Sequence, residues 1–220
     1  LAFCNGNNVV LNAPAGGTWI WRNGTTQVAT TQSYTATTTG AYTVQVTTAA
    51  GCSSTSGVTN VAVSPNPVAT LAAAPYTKLF PGLKTNLTAA VNPTGTYTYT
   101  WLRNGNAVPT ATTATIPNID LSGLGTYTVT VTNTTGLPCS NTSNAVVIAD
   151  SVSAKLFVYP NPSNGAFQVQ FYTTNTSAHT VSIFDAKGSV VYRKEYNLSI
   201  PYQQMDIDIR RHGAGVYQVV

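Results

Sequence analysis

The stretch Tyr97-Thr98-Tyr99-Thr100-Trp101-Leu102-Arg103-Asn104-Gly105 alternates aromatic residues with threonine and ends in an Asn-Gly pair. A period of two puts Tyr97, Tyr99 and Trp101 on one face of a strand. Its end recurs upstream as Trp21-Arg22-Asn23-Gly24, where Trp19 and Trp21 likewise share a face. Working outward, Gly40-Ala41-Tyr42-Thr43-Val44 recurs as Gly125-Thr126-Tyr127-Thr128-Val129. Gly51-Cys52-Ser53 corresponds to Gly136 through Ser140, with Leu137 and Pro138 inserted. The two repeated tryptophans stand 80 positions apart, a suitable length for one small β-sandwich. The sequence therefore predicts two tandem modules, 1–66 and 67–149, joined at Ser64-Pro65-Asn66-Pro67.

Composition supports an all-β fold. Charged residues make up 7% of the 220, against roughly 25% in an ordinary soluble domain. Disorder does not follow, because 43% of residues are hydrophobic and 12 are tyrosine. Threonine takes the place of charge, and Thr, Val and Tyr favour a pleated, half-buried surface. A net charge of +4 without a basic stripe argues against a nucleic-acid partner. No apolar run reaches the ~18 residues of a membrane-spanning segment. The chain begins at Leu1 without Met, so its N-terminus is expected upstream. Three cysteines in such a chain suit an oxidising, exported location.

A second boundary falls near Asp150. Through that residue only Arg22, Lys78, Lys84, Arg103, Asp120 and Asp150 are charged; ten charged residues follow in less than half the length. The shift predicts a linker at 150–154 and a third module at 155–220. Strands are expected at Lys155–Tyr159, Ala166–Tyr172, His179–Phe184, Ser189–Tyr196, Gln204–Ile209 and Gly215–Val220. Asn164-Gly165 and Lys187-Gly188 are the turn signals between them. The sequence thus reads as three β-sandwiches in tandem.

A strand carrying Trp, followed later by Gly-x-Tyr-x-Val, is the order of strands C and F in an immunoglobulin sandwich. Residues 1–149 resemble the immunoglobulin-like repeats of large bacterial surface proteins and adhesins. The resemblance makes Tyr42 and Tyr127 tyrosine-corner residues. It also places Leu11 and Val44, and Leu87 and Val129, where antibody domains carry their inter-sheet disulfide, so aliphatic packing is expected to close these cores.

The cysteines lie elsewhere. Cys4 precedes strand B, while Cys52 and Cys139 occupy the F–G hairpins of the two modules. Aligning Gly6 with Gly82 sets Phe80 opposite Cys4 and leaves Cys139 without a partner in its own module. A Cys4–Cys52 bridge would close 48 residues and add roughly 4 kcal/mol by the chain-entropy model. Topology opposes it, because the start of strand B and the F–G hairpin lie at opposite ends of the sandwich. The sequence leaves that pairing open.

Three motifs mark residues 155–220: Tyr159-Pro160-Asn161-Pro162-Ser163-Asn164-Gly165, Phe184-Asp185-Ala186-Lys187-Gly188, and Gly215-Val216-Tyr217. Pro160 and Pro162 fix φ and remove two backbone donors, which stops the preceding strand. Asn164-Gly165 supplies positive φ to enter the next one. In this order the motifs resemble the type A sorting domain of the type IX secretion system of certain Gram-negative bacteria. The resemblance implies a β-sandwich export signal passing through periplasm and outer membrane to a secreted or cell-surface location. It implies as partners an outer-membrane translocon, its shuttle β-barrel, and a sortase-type surface peptidase that removes the domain. The family continues past Gly-x-Tyr with a further strand, so the C-terminal end is expected to be missing here. The motif residues at issue are Tyr159, Pro160, Asn161, Pro162, Gly165, Asp185, Gly188, Gly215 and Tyr217.

Chemistry finds little purchase. Through residue 150 there is no His or Glu and only two Asp, so general acid–base catalysis lacks its titratable pairs. Asp206-x-Asp208 alternates with Ile207 and Ile209, which describes a strand with a wet charged face rather than a metal site. His179 and His212 lack metal-ligand spacing and are expected at the surface or an edge. No catalytic residue, metal or cofactor is predicted. Trp21 and Trp101 could stack on surface glycans, although matching tryptophans in repeats are more often core. Asp150-Ser151-Val152 resembles an O-glycosylation acceptor pattern of the same bacteria, with Ser151 as acceptor. The sequence reads as the non-catalytic C-terminal part of an exported surface protein, its repeats a stalk or adhesive spacer. The alternatives are the accessory tail of a secreted hydrolase and a pair of glycan-binding modules.

Overall fold

A computed structural model describes all 220 residues. The fold is all-β, with one 3₁₀ turn at Leu121–Gly123. The chain divides into two compact units. One comprises Leu1–Ala72, Ala89–Thr115 and Tyr127–Ala145; the other comprises Ala73–Thr88, Ile116–Thr126 and Val146–Val220.

The first repeat lies wholly in the first unit. Its larger sheet orders Ala2–Cys4, Thr59–Ser64, Gly40–Thr48, Gly17–Asn23 and Thr26–Ala29, with Ser53–Thr55 also paired to Gly40–Thr48. Val9–Asn12 pairs with Ser33–Ala36 to form the second sheet. Between them lie Leu11, Ala13, Trp21, Ala36, Tyr42, Val44 and Val61. Leu11 and Val44 share this core, as aliphatic closure requires.

Local chemistry explains the repeated motifs. Trp21 is 4% exposed and Trp101 1%, and burial obliges each indole N–H to find an acceptor. Trp21 Nε1 donates to the Thr31 carbonyl at 3.0 Å and Trp101 Nε1 to that of Thr113 at 2.8 Å. The hydroxyls of those two threonines donate onward to Ser33 O and Thr115 O. The threonine runs thus carry the carbonyls that satisfy the buried tryptophans. The Tyr42 hydroxyl donates to Thr38 O at 2.9 Å, closing the expected corner. Tyr127, Leu87 and Val129 are also buried.

In the second repeat, Tyr97–Arg103 pairs antiparallel with Asn106–Ala107 and with Gly125–Asn133. Lys78–Leu79 pairs parallel with Val146–Asp150, as Ala2–Cys4 does with Thr59–Ser64. A short early strand thus runs parallel to the last strand in both repeats, although the second repeat opens with Val68–Ala74 in its other sheet.

The cysteine expectation is corrected. Cys4 is bonded to Cys139, and Cys52 is free and exposed. The register gives the reason. Cys4 lies opposite Ser64, at the end of the first repeat's last strand. That strand runs antiparallel to Gly40–Thr48, pairing Val61 with Gly40 and Thr59 with Tyr42. Cys52, beyond Thr48, is therefore about 37 Å of strand from the level of Cys4. Cys4 meets the hairpin of the following repeat instead, so Cys139 is not the leftover cysteine.

The third module lies wholly in the second unit. One sheet orders Phe157–Tyr159, Ala166–Gln170 and Met205–Asp208; the other orders Val190–Asn197, Ala178–Phe184 and Gln218–Val219. Phe167, Val169, Val181, Ile183, Leu198, Met205, Ile207 and Ile209 fill the space between them. Five strands lie within two residues of their expected starts. The last does not: pairing begins at Gln218 instead of Gly215. Gly215 and Val216 are exposed, and the Tyr217 hydroxyl turns back to Gly213 O, so the chain bends before it can join the sheet.

Candidate functional site

The three motifs gather at one end of the third module. The strand Phe157–Tyr159 stops at Pro160, and both Tyr159-Pro160 and Asn161-Pro162 are cis. The return into Ala166–Gln170 is shaped by short side chains. Ser163 Oγ accepts from Gly165 N, and Asn164 Oδ1 accepts from Ala166 N, each at 3.2 Å. Gly165 has φ +93°, and a Cβ there would sit 3.0 Å from Arg210 Cα. Only glycine meets both demands. Its carbonyl accepts from Ile209 N at 2.8 Å, fastening this turn to the exit of the Met205–Asp208 strand.

The second motif is a hairpin turn built on one carboxylate. Asp185 Oδ1 accepts from Lys187 N and Ser189 N, each at 2.9 Å. Gly188 has φ +83° and donates to Asp185 O at 3.0 Å. Asp and Gly are here the turn chemistry itself.

The third motif lies beside the second, because Gln218 pairs with Phe184. A single loop from Ile209 to Tyr217 links all three, running from the contact with Gly165 to the neighbourhood of Asp185. Residues Arg210 through Val216 are exposed throughout, and Val216 is 83% exposed. Gly215 has open space around it: the nearest atom to a Cβ would be Tyr217 Cε2 at 3.9 Å. Packing does not ask for glycine at that position. Below this end an open groove of about 540 Å³ runs past Tyr159, Pro160, Gln168, Asp206 and Asp208.

The carboxylates in the groove are engaged as a wet strand face would have them. Asp206 Oδ1 accepts from Gln168 Nε2 at 3.0 Å. Asp208 pairs with Arg210 at 2.6 Å, and these hydrogen bonds pull its pKa down to about 2. Tyr196 donates to Asp206 O and bonds Tyr192; its burial, then the Tyr192 hydrogen bond, push its pKa well up. His179 meets the edge of Phe171 at 5.2 Å, and His212 is exposed.

The opposite end of this module is tied to the residues before it. Asp150 closes a strand, Ser151 N donates to Leu79 O at 2.7 Å, and the Tyr202 hydroxyl donates to Ser151 O. Burial, with the Asp150 charge behind it, raises the Tyr202 pKa. Phe157 stacks on Phe80 at 5.5 Å and meets Tyr202 edge-on. Ser151, the acceptor candidate, is half-buried with its backbone held on both sides; Val152 is exposed. Sequence reasoning missed this aromatic joint, since Phe80 and Phe157 stand in different modules with nothing to pair them. Trp21 and Trp101, buried with their N–H groups committed, offer no open ring for a glycan.

Residues 157–220 match the family described as the secretion system C-terminal sorting domain, as the three motifs implied. No curated protein matches the chain. Among solved structures it is similar to murine CEACAM1b, at 18% identity over 68% of this chain and 96% of that one, with a TM-score of 0.34. It is also similar to the amphioxus IgVJ-C2 molecule, at 21% identity over 68% and 99%, TM-score 0.30. A third similarity is to the Clostridium thermocellum CbhA fibronectin(III)-like modules, at 16% over 68% and 89%, TM-score 0.31. No helix is long and apolar enough to cross a membrane.

Proposed function

We propose, from the match of residues 157–220 to the secretion system C-terminal sorting domain, that these residues are a type IX sorting signal and that the chain is the non-catalytic C-terminal part of a cell-surface protein. Its organisation is two immunoglobulin-like modules, 1–66 and 67–149, ahead of the sorting domain at 155–220. The sorting domain addresses the protein to the outer-membrane translocon and its shuttle β-barrel, and a sortase-type peptidase then acts on it. The repeats serve as stalk or adhesive spacer.

The observation that carries this reading is the convergence of three motifs on one exposed end, with Gly215 and Val216 serving no packing purpose there. A folded signal can be read through edges and loops without any reactive residue. The test is to express the full protein with and without residues 155–220 in a host possessing this secretion route. Loss of surface protein and accumulation in the periplasm is the expected result. Normal surface levels without those residues would refute the sorting role.

A further inference from the structure

The Cys4–Cys139 bridge joins residues 135 apart in sequence whose Cα atoms are 5.4 Å apart. It spans the join between repeats, where Asn5 N donates to Ser64 O and Asn66 Nδ2 donates to Asn5 O. A bridge that served only the stability of one sandwich would lie within that sandwich. This one encloses nearly all of the first repeat and most of the second in a single covalent loop, including Trp21, Tyr42, Trp101 and Tyr127.

We infer that the bridge is a mechanical bypass. Tension applied on the N-terminal side of Cys4 and the C-terminal side of Cys139 crosses between them through two sulfur atoms. Residues 5–138 then carry none of it. The load falls on the strand Ala2–Cys4 before the bridge, and after it on the strands Ser140–Thr142 and Val146–Asp150 and the third module. Residues 5–138 are therefore a loop hung on the load line, and they do not lengthen as springs in series. The tension itself rests on the proposed surface role, but the bypass can be measured on the purified chain, so the two can fail separately.

The experiment holds the full chain by its ends in optical tweezers, unfolds it without reductant, then adds a phosphine reductant to the stretched molecule. Release of the 135-residue loop should appear as one further extension of about 470 Å, at roughly 3.5 Å per residue. Cys52→Ser should behave as the parent, and Cys139→Ser should reach full length without reductant. Tyr42→Phe, inside the loop, should leave the unfolding forces of the oxidised chain unchanged and lower one of them in the reduced chain. An absent step, or a step of about 170 Å from a 48-residue loop, would overturn the inference. So would a Tyr42→Phe effect on the oxidised trace.

Discussion

Gly40-Ala41-Tyr42 and Gly215-Val216-Tyr217 are the same Gly-x-Tyr motif, and in both the tyrosine hydroxyl donates to a carbonyl four residues back. Their surroundings differ. A Cβ at Gly40 would overlap the Asn23 carboxamide, whose Oδ1 accepts from Ala41 N at 3.1 Å. Tyr42 is buried against Tyr34 in the first repeat's core. At Gly215 a Cβ would meet open space, and its neighbour Val216 faces solvent. In the repeat, packing accounts for both the glycine and the tyrosine of the motif. In the third module, packing accounts for the tyrosine only, and the unexplained letters lie where a partner could touch them.

The packed side of this comparison should be costly to disturb. Trp21→Ala removes a buried ring together with its hydrogen bond to Thr31, and should cost about 4 kcal/mol in chemical denaturation. Gly40→Ala must displace Asn23 and should cost about 2 kcal/mol. A cost near zero at Gly40 would erase the distinction between the two motifs. Asp185→Ala loses two backbone hydrogen bonds at a solvated turn and should cost about 1 kcal/mol by thermal unfolding. A larger loss would mean that the second motif is part of the core.

The smallest effect concerns acid. Arg210 holds the Asp208 carboxyl down to about 2. A depressed folded pKa contributes stability above the unfolded value near 4, and that contribution fades as pH falls from about 4 to about 2. Both partners are well exposed, so the effect on unfolding should be slight. A carbon-detected NMR titration should place the Asp208 midpoint near 2, and Arg210→Ala should return it towards the ordinary carboxylate range.

Period-two patterning and turn residues were enough to find the strands of the third module, because each pays its way by burying alternate side chains such as Val181 and Ile183. The tryptophan and tyrosine roles were legible for the same reason. Three features were not. The Cys4–Cys139 pair depends on how one repeat follows another, which a within-repeat alignment does not contain. The Phe80–Phe157 stack depends likewise on contacts between segments that share no pattern. The late start of the final strand goes with a bend at Ala214 and Gly215, spanned by the Tyr217 bond to Gly213, that alternation does not report.

The central claim is that the motif end of the third module is read by a partner rather than required by the fold. Gly215→Gln, in the full protein, places a side chain into open space and should leave thermal unfolding of the purified chain within about 0.5 kcal/mol of the parent. The measurement is the fraction of that variant displayed on the cell surface. A fall of several-fold is expected, with folded protein retained in the periplasm. Surface display equal to the parent's would contradict it.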